Sequence, residues 1–356
     1  MILTTPLLDR LAQRGPVDVV ATPANASLLA NHPAVRDVIV YDKRGMQRGI
    51  GGLRQTAEQI RFRVVDGLPT ERGVQVAYMA QGSARSAALV RLARVQRIVG
   101  FDKSAGRWLY TERVAFQASL HHTARLLSLA GLSDSVAQVP RPSLYPGAND
   151  KQQVDVLLAA AGVRGAQPVV VLAPGSVWAT KRWPSYHELA VRIRQQLPDA
   201  CIVITGSALD APHAAEIVNA LARTRFERAG DTHGASDFGA TFVDATGKLS
   251  LLATAELMSR AAFVVTNDSA PLHLASAMNT PTVAIFGPTV PAFGFGPLAD
   301  RRVVVQHETL ECRPCDTHGP NACPLGHWRC MRQIEPDRVA REALSLVDIR
   351  LSSAHD

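Results

Sequence analysis

The sequence predicts an α/β protein of two Rossmann-like domains facing a cleft, and three observations carry that prediction. Short β-branched runs alternate with amphipathic helical stretches along all 356 residues, the pattern of parallel sheets joined by right-handed crossovers. The alternation runs through twice, and the chain is too long for one typical domain. Between the two series lies SLYPGANDKQQ at 143–153, rich in turn formers and a natural linker. The expected division is 1–148, 149–335 and a closing helix within 336–356 that packs back on the first domain. A single large doubly wound sheet is the alternative, which the length argues against.

The first series opens with a helix: Thr4 or Thr5 caps it, Pro6 sits near its first turn and Gly15 closes it. Candidate strands follow at 17–23, 36–42, 74–80 and 97–102, with helical patterns at 83–95 and 119–131. A domain of this class normally opens with a strand whose following loop lines the binding crevice. The first domain as numbered lacks that strand. The second series has strands at 168–174, 200–206, 261–267, 281–287 and 301–307. Each of the first three precedes a helical pattern, beginning near His187, Ala211 and Pro271.

Hydrophobic residues make up 47% and charged residues 19%, an ordinary globular balance. No apolar run reaches the roughly 18–20 residues that span a bilayer. The start has no basic region ahead of its apolar run, which Pro6 interrupts, so a cytoplasmic protein is expected. A formal net charge of +7 favours an anionic partner. Four of the five cysteines crowd into 312–330, and a cytosolic location argues against disulfides. Cys312, Cys315, Cys323 and Cys330 suggest instead a structural zinc held by four thiolates. That opens a rival reading, a zinc-stabilised nucleic-acid-binding protein. The spacing is not that of a paired knuckle, and no aromatic–basic interleaving accompanies it, so no nucleic-acid partner is expected.

Chemistry concentrates in the second half. In APGSVWATKRWPSYHELAVRI at 173–193 a buried strand runs into a Gly-Ser turn and then a helix. Gly175 permits close backbone approach, Ser176 and Thr180 offer hydroxyls, and Lys181 is a point charge suited to a phosphate. Ligands collect at the carboxyl ends of such strands, which weighs against Lys181 as a merely solvated lysine. FVVTNDSAPLHLASAMNTPTVAIFGPT at 263–289 places Asp268 between a buried strand and a helix. The amides of Ser269 and Ala270 would lie at that helix's positive end, where an anion is favoured. Asp268 would repel a phosphate, so it is read as partner to a sugar hydroxyl, or as a cap. His273 lies one turn in, either donating to a phosphate or sugar oxygen or serving as a core histidine. Gly287, Pro288 and Thr289 form a further wall. Asp210 reads equally as a ribose ligand or a solvated acid at a helix start, and Leu249 as cover for a base or simply as core. In the first half, KRGMQRGIGGLRQTAEQIRFRV at 43–64 carries Lys43, Arg44, Arg48, Arg54, Arg61 and Arg63, suiting an anionic acceptor or an ordinary basic surface.

These residues resemble a known family. P-G-S-x-W-x-x-K-R-W-P at 174–184 looks like the donor-phosphate loop of the ADP-heptose:lipopolysaccharide heptosyltransferases (glycosyltransferase family 9). N-D-S-A-P-L-H-L-A-S-A at 267–277, with T-P-T-V-A-I-F-G-P-T after it, looks like their most distinctive stretch. The tail C-R-P-C…C-P-L-G-H-W-R-C-M-R-Q-I-E-P-D-R-V resembles the heptosyltransferase II type. M-I-L-T-T-P-L-L, Q-G-S-A-R-S-A-A-L, R-I-V-G-F and the His121-His122 helix are looser likenesses in the first half. The resemblance implies a GT-B fold and an inverting, metal-independent transfer of heptose from an ADP-sugar to the lipid A–core oligosaccharide, with peripheral contact at the inner membrane face. Ser176, Thr180 and Lys181 would hold the diphosphate, with Lys181 stabilising the leaving group. Asp268 would take a sugar hydroxyl, Ser269 and Ala270 amides the phosphates, His273 a phosphate or sugar oxygen, and Leu249 the adenine. Arg44, Arg48 and Arg54 would face the acceptor. Family members often carry Gly where Ala270 stands. In the family an Asp acting as general base comes just before the stretch matching Met1–Leu8, so that base is expected to precede Met1. A catalytically impaired nucleotide-sugar binder is the corresponding alternative.

Overall fold

The computed structural model describes residues 1–62, 64–65, 68–69, 74–132, 138–165, 167–229 and 242–347. Arg63, one of the basic residues singled out above, lies outside them. The chain forms two compact units, Met1–Tyr145 and Pro146–Asp356. The boundary falls close to the expected one, but most of the supposed linker is helix. Asp150 accepts the N–H of Gly147 at 2.9 Å, capping a helix that starts at Ala148.

In the first unit, helix α1 (Thr5–Ala12) leads to strand β1 (Asp18–Ala21), which pairs in parallel with β2 (Asp37–Val40). Thr5 does not cap α1; its hydroxyl donates to the Ile2 carbonyl and accepts the N–H of Ser143 at 2.9 Å. After α2 (Gly49–Arg61) come β3 (Val76–Met79), α3 (Ala84–Leu92), β4 (Arg97–Phe101), β5 (Glu112–Val114) and α4 (His122–Ser128). Strands β3, β4 and β5 pair in parallel in that order. Among the described residues no strand joins β1 to β3, so the parallel strands of this unit form two separate sheets.

The second unit holds one parallel sheet of six strands, with helix α5 (Ala148–Ala160) preceding it. In chain order these are β6 (Val169–Ala173), α6 (Tyr186–Gln196), β7 (Cys201–Ile204), α7 (Ala211–Ala229), β8 (Phe242–Asp244), α8 (Leu251–Ser259), β9 (Ala261–Asn267), α9 (Ala270–Met278), β10 (Thr282–Phe286), β11 (Arg302–Gln306) and α10 (Pro336–Ser345). The sheet order is β8-β7-β6-β9-β10-β11. The chain winds outward from β6, then returns to start β9 on β6's other side. The switch point between β6 and β9 is where such sheets open a crevice beyond their carboxyl ends.

β6, β7 and β10 are buried throughout, as expected for strands covered on both faces. The two-residue period sorts β10 between two clusters: Val283 and Ile285 join one, Ala284 and Phe286 the other. Each such fully buried aliphatic or aromatic side chain stabilises the fold by about 1.5–3 kcal/mol. The closing helix α10 packs within the second unit. Val339, Ala340 and Ala343 bury themselves in the second unit's core, beside Leu189 and Ile193 of α6. The Trp183 indole donates to the carbonyl of Ile334 at 3.0 Å and ties in the approach to α10. Among the described residues, no helix is long and apolar enough to cross a membrane.

Candidate functional site

The loops leaving β6 and β9 meet at the switch point. Lys181, in a short 3-10 turn after β6, and Asp268, directly after β9, are each only 8% exposed. Lys181 Nζ lies 2.6 Å from Asp268 Oδ2. The Thr289 hydroxyl, beyond β10, donates to the same oxygen at 2.7 Å. A buried pair of opposite charges survives desolvation only with such close geometry and further hydrogen bonds. An ammonium has three donors, so Lys181 keeps two that this bond does not use.

Asn267 sets the register of the two loops. Its side-chain amide donates to the Pro174 carbonyl at 2.7 Å, while its Oδ1 accepts the Trp183 N–H and the Tyr186 hydroxyl, both at 3.3 Å. Burial holds the Tyr186 phenol well above its ordinary pKa, so it stays a hydrogen-bond donor.

Helix α9 begins at Ala270 after Ser269, whose side chain makes no capping bond. The amides of Ser269 and Ala270 therefore open the helix with no carbonyl four residues back to receive them. Ser269 Oγ is buried and has no hydrogen-bond partner among the described residues. His273, one turn in, sets its ring 6.3 Å from that of Phe295. A lysine ammonium with two further donors, two helix-opening amides and a buried hydroxyl without a partner among the described residues meet at one sheet end, and such groups can take an anion. Asp268 beside it can accept from a sugar hydroxyl.

The other expected residues fall out differently. Ser176 is buried, and its Oγ accepts the Trp178 N–H at 3.3 Å in a local turn. Thr180, expected to donate to a diphosphate, instead gives its hydroxyl proton to the Pro320 carbonyl. Asp210 caps its own turn, accepting from the Ser207 N–H and Oγ at 2.8 Å each. Its carboxyl lies against Gly175 and Gly206, where a Cβ would come within 2.4 and 2.8 Å of it. The close approach at Gly175 is thus to Asp210. Leu249 is half-buried and lines a groove of about 460 Å³ with Val156 and Leu157, opposite the amide side chains of Asn149, Gln152 and Gln153. Of the first-half candidates, Arg44, Arg48 and Arg54 are all exposed. His121 caps α4, its Nδ1 accepting the Thr123 N–H at 3.2 Å.

The cysteine-rich segment is a brace against the site. Cys312 Sγ lies 3.8 Å from His327 Nε2. Among the described residues no group of three or more His, Cys, Asp or Glu side chains is placed to hold a metal ion. Burial pushes the Cys330 thiol up to about 11 and raises Cys315. Burial acts on Cys323 too, but the N–H groups of Trp328, Leu325, His327 and Gly326 outweigh it and leave that thiol below its ordinary range. Between Cys312 and Cys315, Arg313 threads under the loop after β10. It donates to the carbonyls of Phe286 (3.2 Å), Gly287, Thr289 (2.9 Å) and His307. Cys315 N–H adds a bond to the Pro288 carbonyl at 2.9 Å. Gly319, at φ +81°, packs against Pro288, Thr180 and the Lys181 stem, where a Cβ would come within 3.2–3.3 Å of each. Sequence reasoning missed Asn267, Arg313 and the role of the Thr289 hydroxyl. Asn267 carried a weak signal, a polar residue ending a buried strand; Arg313 carried none.

The doubly wound parallel sheet, with its crevice at the switch point, is a Rossmann-like domain. The model of glycosyltransferase family 9 (heptosyltransferase) matches residues 70–325. The chain is 29% identical over 185 residues to lipooligosaccharide heptosyltransferase 2 of Haemophilus influenzae, a match covering 51% of this chain and 47% of that protein. It is 24% identical to lipopolysaccharide heptosyltransferase 2 of Salmonella typhimurium, covering 98% of this chain and 95% of that one. The structure of E. coli ADP-heptose lps heptosyltransferase II superposes with a TM-score of 0.73 at 24% identity, covering 97% of this chain and 94% of that chain. The shared fold is the GT-B type, and the chain belongs to glycosyltransferase family 9 (heptosyltransferase). It is a glycosyltransferase.

Proposed function

We propose that this enzyme transfers heptose from ADP-heptose to the inner core of lipopolysaccharide, with inversion at the anomeric carbon and no metal in the chemical step. The observation that carries this reading is the pairing of Lys181 with Asp268 just before the opening of α9, where Ser269 Oγ is buried without a hydrogen-bond partner among the described residues. As the acceptor hydroxyl attacks the anomeric carbon and gives its proton to a general base, the bond to the diphosphate breaks and negative charge grows on ADP. Lys181 and the Ser269 and Ala270 amides stabilise that charge from fixed positions, the role a metal fills in other transferases. Asp268 holds a hydroxyl of the heptose, Asp210 stands at the strand end suited to the ribose, and Leu249 offers apolar cover to the adenine. The exposed Arg44, Arg48 and Arg54 suit an acceptor that carries phosphates. The names of the relatives support both substrates.

Calorimetry with ADP tests the subsite. Ser269→Ala and Lys181→Met should each weaken ADP binding, and chelator should leave both binding and heptose transfer unchanged. Undiminished ADP affinity in both variants would remove the diphosphate from this site. Loss of transfer on chelation would overturn the metal-free step.

A further inference from the structure

The loop at 174–184, whose Lys181 reaches Asp268, also walls a second cavity, of about 280 Å³. Lys181, Asp268 and Ser269 take no part in its lining, so it is separate from the groups that meet at the switch point. Four residues with ionisable side chains line it: Arg182 from the loop, His187 from the first turn of α6, and His213 and Glu216 from α7. His213 and Glu216 stand one turn apart on the same helix face. The volume lies just under the range of about 300–1,000 Å³ that holds drug-sized molecules, so the cavity suits a small ligand.

The frame is fixed. Trp183, in the wall, donates its indole N–H to the Ile334 carbonyl at 3.0 Å and its main-chain N–H to Asn267 at 3.3 Å. Ile217, also in the wall, is buried in the core with Leu189 and Ile193 of α6. Arg182 Nε donates to the Ser176 carbonyl at 2.7 Å. That bond holds the guanidinium against the loop and leaves its two terminal nitrogens without partners among the described residues. The side chains of His187, His213 and Glu216 make no hydrogen bond or ion pair among the described residues either. A guanidinium, two imidazoles and a carboxylate thus share one cavity, and none of them is paired with another.

We propose that this cavity binds hydrogen phosphate, with Arg182 taking two of its oxygens, His187 and His213 donating to the others, and Glu216 accepting the anion's own O–H. A guanidinium with both terminal nitrogens open meets two oxygens of a tetrahedral oxyanion at once. Each neutral imidazole supplies one ring N–H. Glu216, ionised, can only accept. It therefore opposes an anion that carries no proton and favours one that keeps an O–H. A metal ion is disfavoured by the Arg182 charge, and among the described residues no group of three or more ligating side chains is placed to hold one.

Calorimetry on the full chain tests this, with saturating ADP and again without it, so that any phosphate bound at the switch point is counted apart. The inference does not rest on heptose transfer, whose failure would show in the ADP titration and not here. In mildly alkaline buffer, inorganic phosphate should bind at one site that ADP leaves open. Sulfate, which has no proton to give, should bind about tenfold or more weakly. Glycerol 3-phosphate should be weakened likewise, since a phosphate monoester loses its last proton near about pH 6. Arg182→Gln and His213→Gln should each lose about tenfold or more in phosphate affinity, and His213→Gln should keep the wild-type unfolding transition and ADP affinity. Glu216→Gln should take sulfate as tightly as phosphate, because its amide can donate. No phosphate binding by the wild-type chain, undiminished binding by His213→Gln, or equal wild-type affinity for phosphate and sulfate overturns the proposal.

Discussion

Replacing Lys181 with Met removes one charge of a buried pair and nearly preserves side-chain length. Asp268, 8% exposed, then keeps only the Thr289 hydroxyl on Oδ2. Breaking a buried pair by deleting one partner typically costs about 3–5 kcal/mol, because an uncompensated charge stays in a low-dielectric site. For a unit of about 200 residues, each kcal/mol lowers the midpoint by about 2–4 °C. The second unit's thermal transition should therefore fall by roughly 6–20 °C. Adding Asp268→Asn should recover most of that loss, since both charges are then gone. Calorimetric scans of wild-type, both single variants and the double variant form the cycle that isolates the pair. ADP affinity behaves differently: losing a charged hydrogen bond of about 1.5–3 kcal/mol weakens binding by about 10–100-fold, and the second substitution cannot restore it. A Lys181→Met midpoint within about 1 °C of wild type, or a double variant no more stable than the single, would refute the argument that a desolvated ion pair organises the site.

Two other substitutions test separate parts of the structure. Arg313→Gln leaves the carbonyls of Gly287, Thr289 and His307 short of their donor; at roughly 1–3 kcal/mol for each buried group left unpaired, a marked drop in midpoint is expected, together with a raised donor KM as Thr289 loosens from Asp268. Arg313→Lys should not rescue it, because a single ammonium cannot reproduce the guanidinium fork; full rescue by Lys would contradict this. His32 is buried, its pKa lowered by burial against the opposing pull of Asp9, whose carboxylate lies 3.9 Å away. The unfolded chain then binds more protons than the folded one, so stability rises with pH. The first unit should lose stability as pH falls through the ordinary histidine value of about 6.5 and level off below the lowered folded value. His32→Gln should flatten that limb in pH-dependent thermal scans, and an unaltered acid limb would rule His32 out as its source.

Much of this protein was legible in its sequence, because the determining physics is local. Buried parallel strands must be apolar along their length, so VVVLA, CIVI and TVAIF announce themselves. The carboxyl ends of such strands collect ligands, so Lys181, Asp268 and Ser269 could be singled out from their places after β6 and β9. Local pattern also misled where the deciding contact is distant. Thr180 looks like a free hydroxyl at a strand end, and the structure shows its proton going to the Pro320 carbonyl, 140 residues on. Asp210 looks like a ribose ligand, and the structure shows it also capping its own turn against Gly175. The spacing of four cysteines suggested a metal, and the structure adds an arginine between two of them that donates to four carbonyls. Helix α10 showed an amphipathic face, but nothing in its spacing says which core receives it.

By itself, then, the sequence determined two α/β series, the strands of the second and the residues at their ends, since period and turn chemistry act over a few residues. Only the tertiary structure decided that the Lys181 ammonium donates to Asp268 Oδ2, 87 residues away in the chain, at 2.6 Å. The physical reason is sheet order. β6 and β9 are distant in the chain but adjacent across the switch point, and it is that adjacency, clamped by Asn267 and braced by Arg313, that brings two separate loops into one site.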